Sequence, residues 1–106
     1  SRAQLAQTPE KRAEEANRFK EHGNKVFTDG ENNKALKFYS LAIALTPSNH
    51  VFFSNRSACH FNTHHYLAGM HDALRCIALK PDWPKGYLRL NWRLRVKPRT
   101  KLGLID

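Results

Sequence analysis

An all-α fold built from stacked helical pairs is predicted by three observations. The segment Ala42-Ile-Ala-Leu-Thr-Pro47 returns 34 residues later as Cys76-Ile-Ala-Leu-Lys-Pro81. When two units are set at Ala16 and His50, similar residue types recur at the same places: Phe19 and Phe53, Gly23 and Ser57, Ala35 and Gly69, Ala42 and Cys76, Pro47 and Pro81, with Tyr39 and Ala73 at one further repeat position. Between the turn signals, apolar residues fall three or four apart, the spacing of one helical face. Small residues at three of these places let two helices approach closely, and each proline ends the second helix of its pair. Units of this length cannot bury their apolar faces alone and stack on their neighbours.

The elements follow in order. Thr8-Pro9-Glu10 is a helix start, with a hydroxyl to cap, proline at the first helical position and an acid near the positive end. Ala13, Ala16, Phe19, Gly23 and Val26 then mark one face of a helix over 9–28. Asp29-Gly30 closes it, glycine being free to take the left-handed cap. A second helix is expected over 32–45 and turns at Thr46-Pro47-Ser48, a third over 49–62 and a fourth over 66–79. Lys80-Pro81-Asp82 is the next break, with Asp82 as the expected cap of a fifth helix over 83–96, which Pro98 stops. Repeats are expected at about 16–49 and 50–83, with a partial unit at 84–96. Residues 1–8 read as a flexible start and 97–106 as a basic tail. A third unit from Pro84 would run past the last residue, so its second helix is missing, and Asn91 falls where a small residue belongs.

At 106 residues the chain is one small domain, with 41% hydrophobic and 25% charged residues, ordinary for a soluble globular protein. No apolar run approaches membrane-spanning length, and no basic-then-apolar segment opens the sequence to suggest secretion. Cys59 and Cys76 are expected as buried, unpaired thiols of a cytoplasmic chain, with the nucleus as the other compartment. The net charge of +9 is uneven: residues 84–106 carry seven basic groups against one acid. Such a surface favours acidic partners, whether peptide, RNA or anionic lipid.

The polar residues worth following are Lys20 and Asn24 in Phe19-Lys-Glu-His-Gly-Asn24, Asn55 in Ser54-Asn-Arg-Ser-Ala58, and Lys85 and Arg89 in Asp82-Trp-Pro-Lys-Gly-Tyr-Leu-Arg89. Lys20 and Asn24 are four apart, as are Lys85 and Arg89, so each pair shares a helical face. If the first helices of successive units line one surface, these five residues meet in a common groove. Lys85 and Arg89 are expected there rather than in the core. Cationic donors and amides suit a peptide end, where the main-chain and side-chain carboxylates lie together.

The 34-residue pattern closely resembles the tetratricopeptide repeat. Over Ala16 to Leu90 the chain is similar to the co-chaperone modules of the Hop, protein phosphatase five and CHIP type. That resemblance implies a non-catalytic adaptor whose two-carboxylate clamp holds the Glu-Glu-Val-Asp tails of heat-shock proteins 70 and 90. Lys20, Asn24, Asn55, Lys85 and Arg89 match the clamp residue by residue.

Two other readings compete: a scaffold for a different acidic peptide, and a nucleic-acid binder using Trp92 and the basic residues 93–101. Tyr87, Leu90 and Leu94 form an apolar stripe on the fifth helix that could pair with a second copy. No cofactor is implied. His60 and His64 lie four apart, with His65 and His71 nearby, but lack the carboxylate or cysteine partners of a metal site and read as exposed turn residues. His64-His65 falls where the family has a Gly-Asp type of turn. No phosphate loop, nucleophile elbow or acid–base pair points to an enzyme.

Overall fold

The computed structural model describes residues 7–91. Among these residues five helices follow one another: α1 Pro9–Thr28, α2 Asn32–Leu45, α3 His50–Asn62, α4 Tyr66–Leu79 and α5 Pro84–Leu90. The all-α solenoid expected from the repeat is what forms. The starts of α2 and α4 differ by 34 residues, as do their ends. Their C-caps, Thr46 and Lys80, share nearly the same backbone angles.

The helix ends have local causes. Thr8 Oγ1 accepts the Lys11 N–H at 3.2 Å, and Pro9 occupies the first turn, where no N–H is needed. Gly30 takes φ 87°, allowing the Gly30 N–H to reach the Phe27 carbonyl and the Glu31 N–H to reach that of Val26. Asn49 caps α3 by accepting the Val51 N–H at 2.9 Å, which starts that helix one residue later than expected. The expectation that Asp82 caps the fifth helix fails. Trp83 is the N-cap, held extended by the proline that follows it, while Asp82 is exposed and lies 3.8 Å from Lys80. The observed α5 ends at Leu90 with Asn91 as its C-cap. The rest of the expected helix, including Leu94, and the tail 97–106 lie outside the described residues.

Packing joins each helix to the next. Residues near the start of α1 meet the end of α2 (Ala16 with Ala42 and Leu45), and Phe27 at its far end meets Ala35, so the two are antiparallel. Ala13 is exposed, unlike the other residues assigned to its face, because α1 begins seven residues before the unit that α2 covers. α3 is the central element: Phe52, Phe53, Ala58, Cys59 and Phe61 are all buried in it. A Cβ on Gly69 would lie 3.0 Å from three Phe61 ring atoms, which is why α4 can sit so close to α3. Both cysteines are buried thiols, as expected. Of the apolar stripe on α5, Tyr87 is exposed and Leu90 half-buried. Among the described residues no helix is long and apolar enough to cross a membrane.

Candidate functional site

The first helices of the successive units, α1, α3 and α5, are tied together by side-chain hydrogen bonds. On α1, Asn24 Oδ1 accepts two of them. One comes from the Tyr39 hydroxyl on α2 at 2.6 Å, the other from Asn55 Nδ2 on α3 at 3.2 Å. Next to Asn55 in sequence, Ser54 Oγ accepts from Arg89 Nε on α5 at 2.8 Å. α1 and α5 thus both bond to the pair Ser54-Asn55 on α3, and α2 joins through Asn24.

Burial divides the five residues expected from the sequence. Lys20, Asn24 and Lys85 are half-buried, with Lys20 one turn before Asn24 and Lys85 one turn before Arg89. Asn55 is wholly enclosed and Arg89 is only 3% exposed. This corrects the expectation that Arg89 stands apart from the core. A buried guanidinium must be compensated, and Arg89 has Ser54 together with further polar or electrostatic partners.

The electrostatics follow from that burial. Enclosure pushes the Tyr39 hydroxyl well above its ordinary range, the Cys59 thiol pushes the same way, and the Arg89 charge only partly opposes them. Tyr39 therefore remains a proton donor. Burial also pushes the Cys59 thiol up to about 12, again with Arg89 working against it. A thiol held neutral is a poor nucleophile.

Sequence reasoning missed Tyr39 and Ser54. A signal for Tyr39 was present: its counterpart in the second unit is Ala73, and the residue facing it is Gly23. A Cβ on Gly23 would lie 2.6 Å from Tyr39 Cε1, so the ring fits only because that glycine is there. Ser54 carried no comparable signal, since its partner is 35 residues away.

A second polar cluster joins α2, α3 and α4. Arg56 donates through Nε to Asp72 Oδ2 at 2.8 Å and through Nη2 to Oδ1 at 2.9 Å, and its Nη1 reaches Ser40 Oγ at 3.1 Å. His60 Nε2 lies 3.6 Å from the same carboxylate, so His60 is a half-buried helical residue rather than the exposed turn residue expected. His64 and His65 are exposed in the turn; His64 Nδ1 contacts the Tyr66 hydroxyl and His65 Nδ1 contacts Thr63 Oγ1, each at 2.8 Å. Among the described residues no three His, Cys, Asp or Glu side chains gather as a metal site would need. The basic stretch 93–101 lies outside the described residues.

Hsp70-Hsp90 organizing protein 2 of Arabidopsis thaliana is 49% identical over 71 residues, which is 67% of this chain and 12% of that protein. Hsp70-Hsp90 organising protein of Plasmodium falciparum is 43% identical over 76 residues, 72% of this chain and 30% of that one. Identity of this level, on a fold of 34-residue helical pairs, decides the family. The chain belongs to the tetratricopeptide-repeat proteins, with a domain of the Hop type. Tetratricopeptide repeat protein 28 of Mus musculus shares 38% identity over 66 residues, 62% of this chain and 3% of that protein. No protein-family model matches the sequence. This Hop-type domain spans less than a third of the organising proteins it matches.

Proposed function

We propose that the domain is a non-catalytic, cytoplasmic adaptor that holds the free C-terminal end of an acidic peptide of the Glu-Glu-Val-Asp class. Such peptides end the heat-shock proteins 70 and 90, and the clamp consists of Lys20, Asn24, Asn55, Lys85 and Arg89. The observation that carries the reading is the pair of hydrogen bonds made by the adjacent residues Asn55, to Asn24, and Ser54, from Arg89, which join one helix of each unit. The names of the organising proteins support the choice of partner.

The chemistry is that of two carboxylates meeting preplaced donors. Lysine ammonium groups and the Arg89 charge supply charge-assisted hydrogen bonds, while the asparagine amides add neutral N–H donors. Asn55 and Arg89 are already bonded within the protein, so they need little ordering when a ligand arrives. That preorganisation lowers the entropic cost of binding.

Titration with a free-acid Glu-Glu-Val-Asp peptide and its amidated form tests the proposal. Removing one charge-assisted hydrogen bond costs about 1.5–3 kcal/mol, so the amide should bind at least about tenfold more weakly. Equal affinity for the two forms would overturn the clamp. Lys85→Ala should weaken binding of the free acid while leaving helicity unchanged, since Lys85 is only half-buried.

A further inference from the structure

The clamp needs an amide of known polarity, and the fold contains a device for setting it. A carboxamide can turn by 180° with almost no change in shape. One orientation offers N–H donors to a ligand and the other offers an oxygen. Against a carboxylate the first attracts, while the second sets lone pair against lone pair. Asn24 is therefore useful to an anion site only if something holds its oxygen away from the ligand.

We infer that Tyr39 is a positioning residue for anion recognition: its hydroxyl holds Asn24 Oδ1 on the buried side and leaves the Nδ2 donors for a carboxylate. The inference rests on the clamp reading and deepens it. Both donors to Oδ1, the Tyr39 hydroxyl and Asn55 Nδ2, belong to residues with no exposed surface. Rotation of the Asn24 amide would bring its NH2 group against that of Asn55, donor against donor. No hydrogen bond commits Asn24 Nδ2 among the described residues, and it is not among the buried polar atoms lacking a partner, so it stays open to solvent.

The repeat supplies an independent argument. Asn24 and Tyr39 correspond to Ala58 and Ala73 in the second unit. The hydroxyl occurs in the unit that has an amide to orient and is absent from the unit that has none. Packing does not explain it either, since the ring faces Gly23 and phenylalanine would fill that space as well.

Tyr39→Phe in the full chain is the test, because it removes only the oxygen. In the unliganded protein, the Asn24 side-chain amide is followed by nitrogen–proton NMR. Loss of its order, or a second amide signal from the rotated form, is expected. With the free-acid peptide, affinity should fall about three- to tenfold, the range for one neutral hydrogen bond. The loss should vanish when Asn24→Ala is already present, since Tyr39 acts through Asn24.

An unchanged amide signal together with unchanged affinity would overturn the inference and leave the clamp standing. A wild-type chain that ignores the free carboxylate would defeat the clamp reading instead, and the amide signal would still decide the role of Tyr39. Asn24→Asp gives a second route should Tyr39→Phe fail to fold. It keeps an oxygen for Tyr39 and Asn55 but replaces the donors with a second oxygen. Binding of the free acid should drop more than about tenfold, and retained affinity would contradict the assigned polarity.

Discussion

The two helical units share a backbone plan and close it with different chemistry. In the first, His22 stacks on Phe38 with ring centroids 5.5 Å apart, and Gly23 receives the ring of Tyr39. At the matching places in the second, Arg56 grips Asp72 through two hydrogen bonds, and Ser57 donates to the Gly69 carbonyl at 2.7 Å above the small Ala73. A large residue on one helix is matched by a glycine on the other, and a small residue by a serine. The 34-residue geometry thus constrains the sum of two facing side chains more than either one. It tolerates a ring stack or an ion pair in the same place, provided both members change together.

Several substitutions would break that comparison. The largest effect is expected from Asp72→Ala, which strands Arg56 against its apolar neighbours. Loss of one partner of a buried ion pair costs about 3–5 kcal/mol, and the Arg56 side chain is 22% exposed, so the lower end applies. The counterpart, His22→Ala, removes an exposed stack and should cost less than about 1 kcal/mol. Urea unfolding of both variants checks the contrast. Equal losses would mean that the ion pair fastens its unit no more firmly than the rings fasten theirs.

Next in size is Gly23→Ala. The added methyl must displace the Tyr39 ring, and overpacking costs about 1–3 kcal/mol, partly offset by about 1 kcal/mol of helix propensity. Thermal unfolding should show a net loss, and the substitution should also weaken peptide binding by moving Tyr39 away from Asn24.

His64→Gly works in the opposite direction. His64 sits at φ 64° in the position that Gly30 fills one repeat earlier, making the same pair of closing hydrogen bonds. Left-handed backbone costs a side-chain-bearing residue about 1–2 kcal/mol, and glycine returns part of this as unfolded-chain entropy. A stabilisation of up to about 1 kcal/mol is expected, read as a higher denaturation midpoint.

The smallest effect is a pH dependence. Burial holds His60 below its ordinary pKa; Arg56 and His65 push the same way and Asp72 opposes them. The unfolded chain therefore binds a proton near the ordinary histidine value while the folded chain does not. The resulting stability is present above about pH 6.5 and is lost as pH falls through the lower folded value. Unfolding midpoints at about pH 7.5 and 5.5 should differ less in His60→Gln than in the parent.

Much of this was legible in the sequence because its signals are local. Proline and glycine at Pro9, Gly30, Pro47 and Pro81 set the helix ends, and α2 and α4 were bounded correctly from them and from apolar spacing alone. Asp82 is the better capping side chain, but the proline at position 84 makes Trp83 the extended residue and so the cap. For the site, helical spacing pairs Lys20 with Asn24 and Lys85 with Arg89, and α1, α3 and α5 carry the five expected residues. Spacing does not report depth: the enclosure of Asn55 and Arg89 depends on α3 being covered by its neighbours, which no stretch of sequence displays. Ser54 escapes for the same reason, bonding to a group on another helix, whereas Tyr39 is marked in the sequence by its contrast with Ala73.

The two enclosed sulfurs give the molecule a pair of internal stopwatches. Cys59 lies in the core shared by Phe27, Tyr39 and Phe61, whereas Cys76 lies under α5, where a methyl on Gly86 would come within 3.4 Å of its sulfur. A disulfide reagent can modify either only after a local opening, so its rate reads how often each lid lifts. α5 is seven residues long and docks mainly on α4, so Cys76 should be labelled well before Cys59. A peptide that grips Lys85 and Arg89 should slow the Cys76 clock in proportion to its occupancy. Ligand capture could then be timed with the chain's own chemistry and no added probe on its surface.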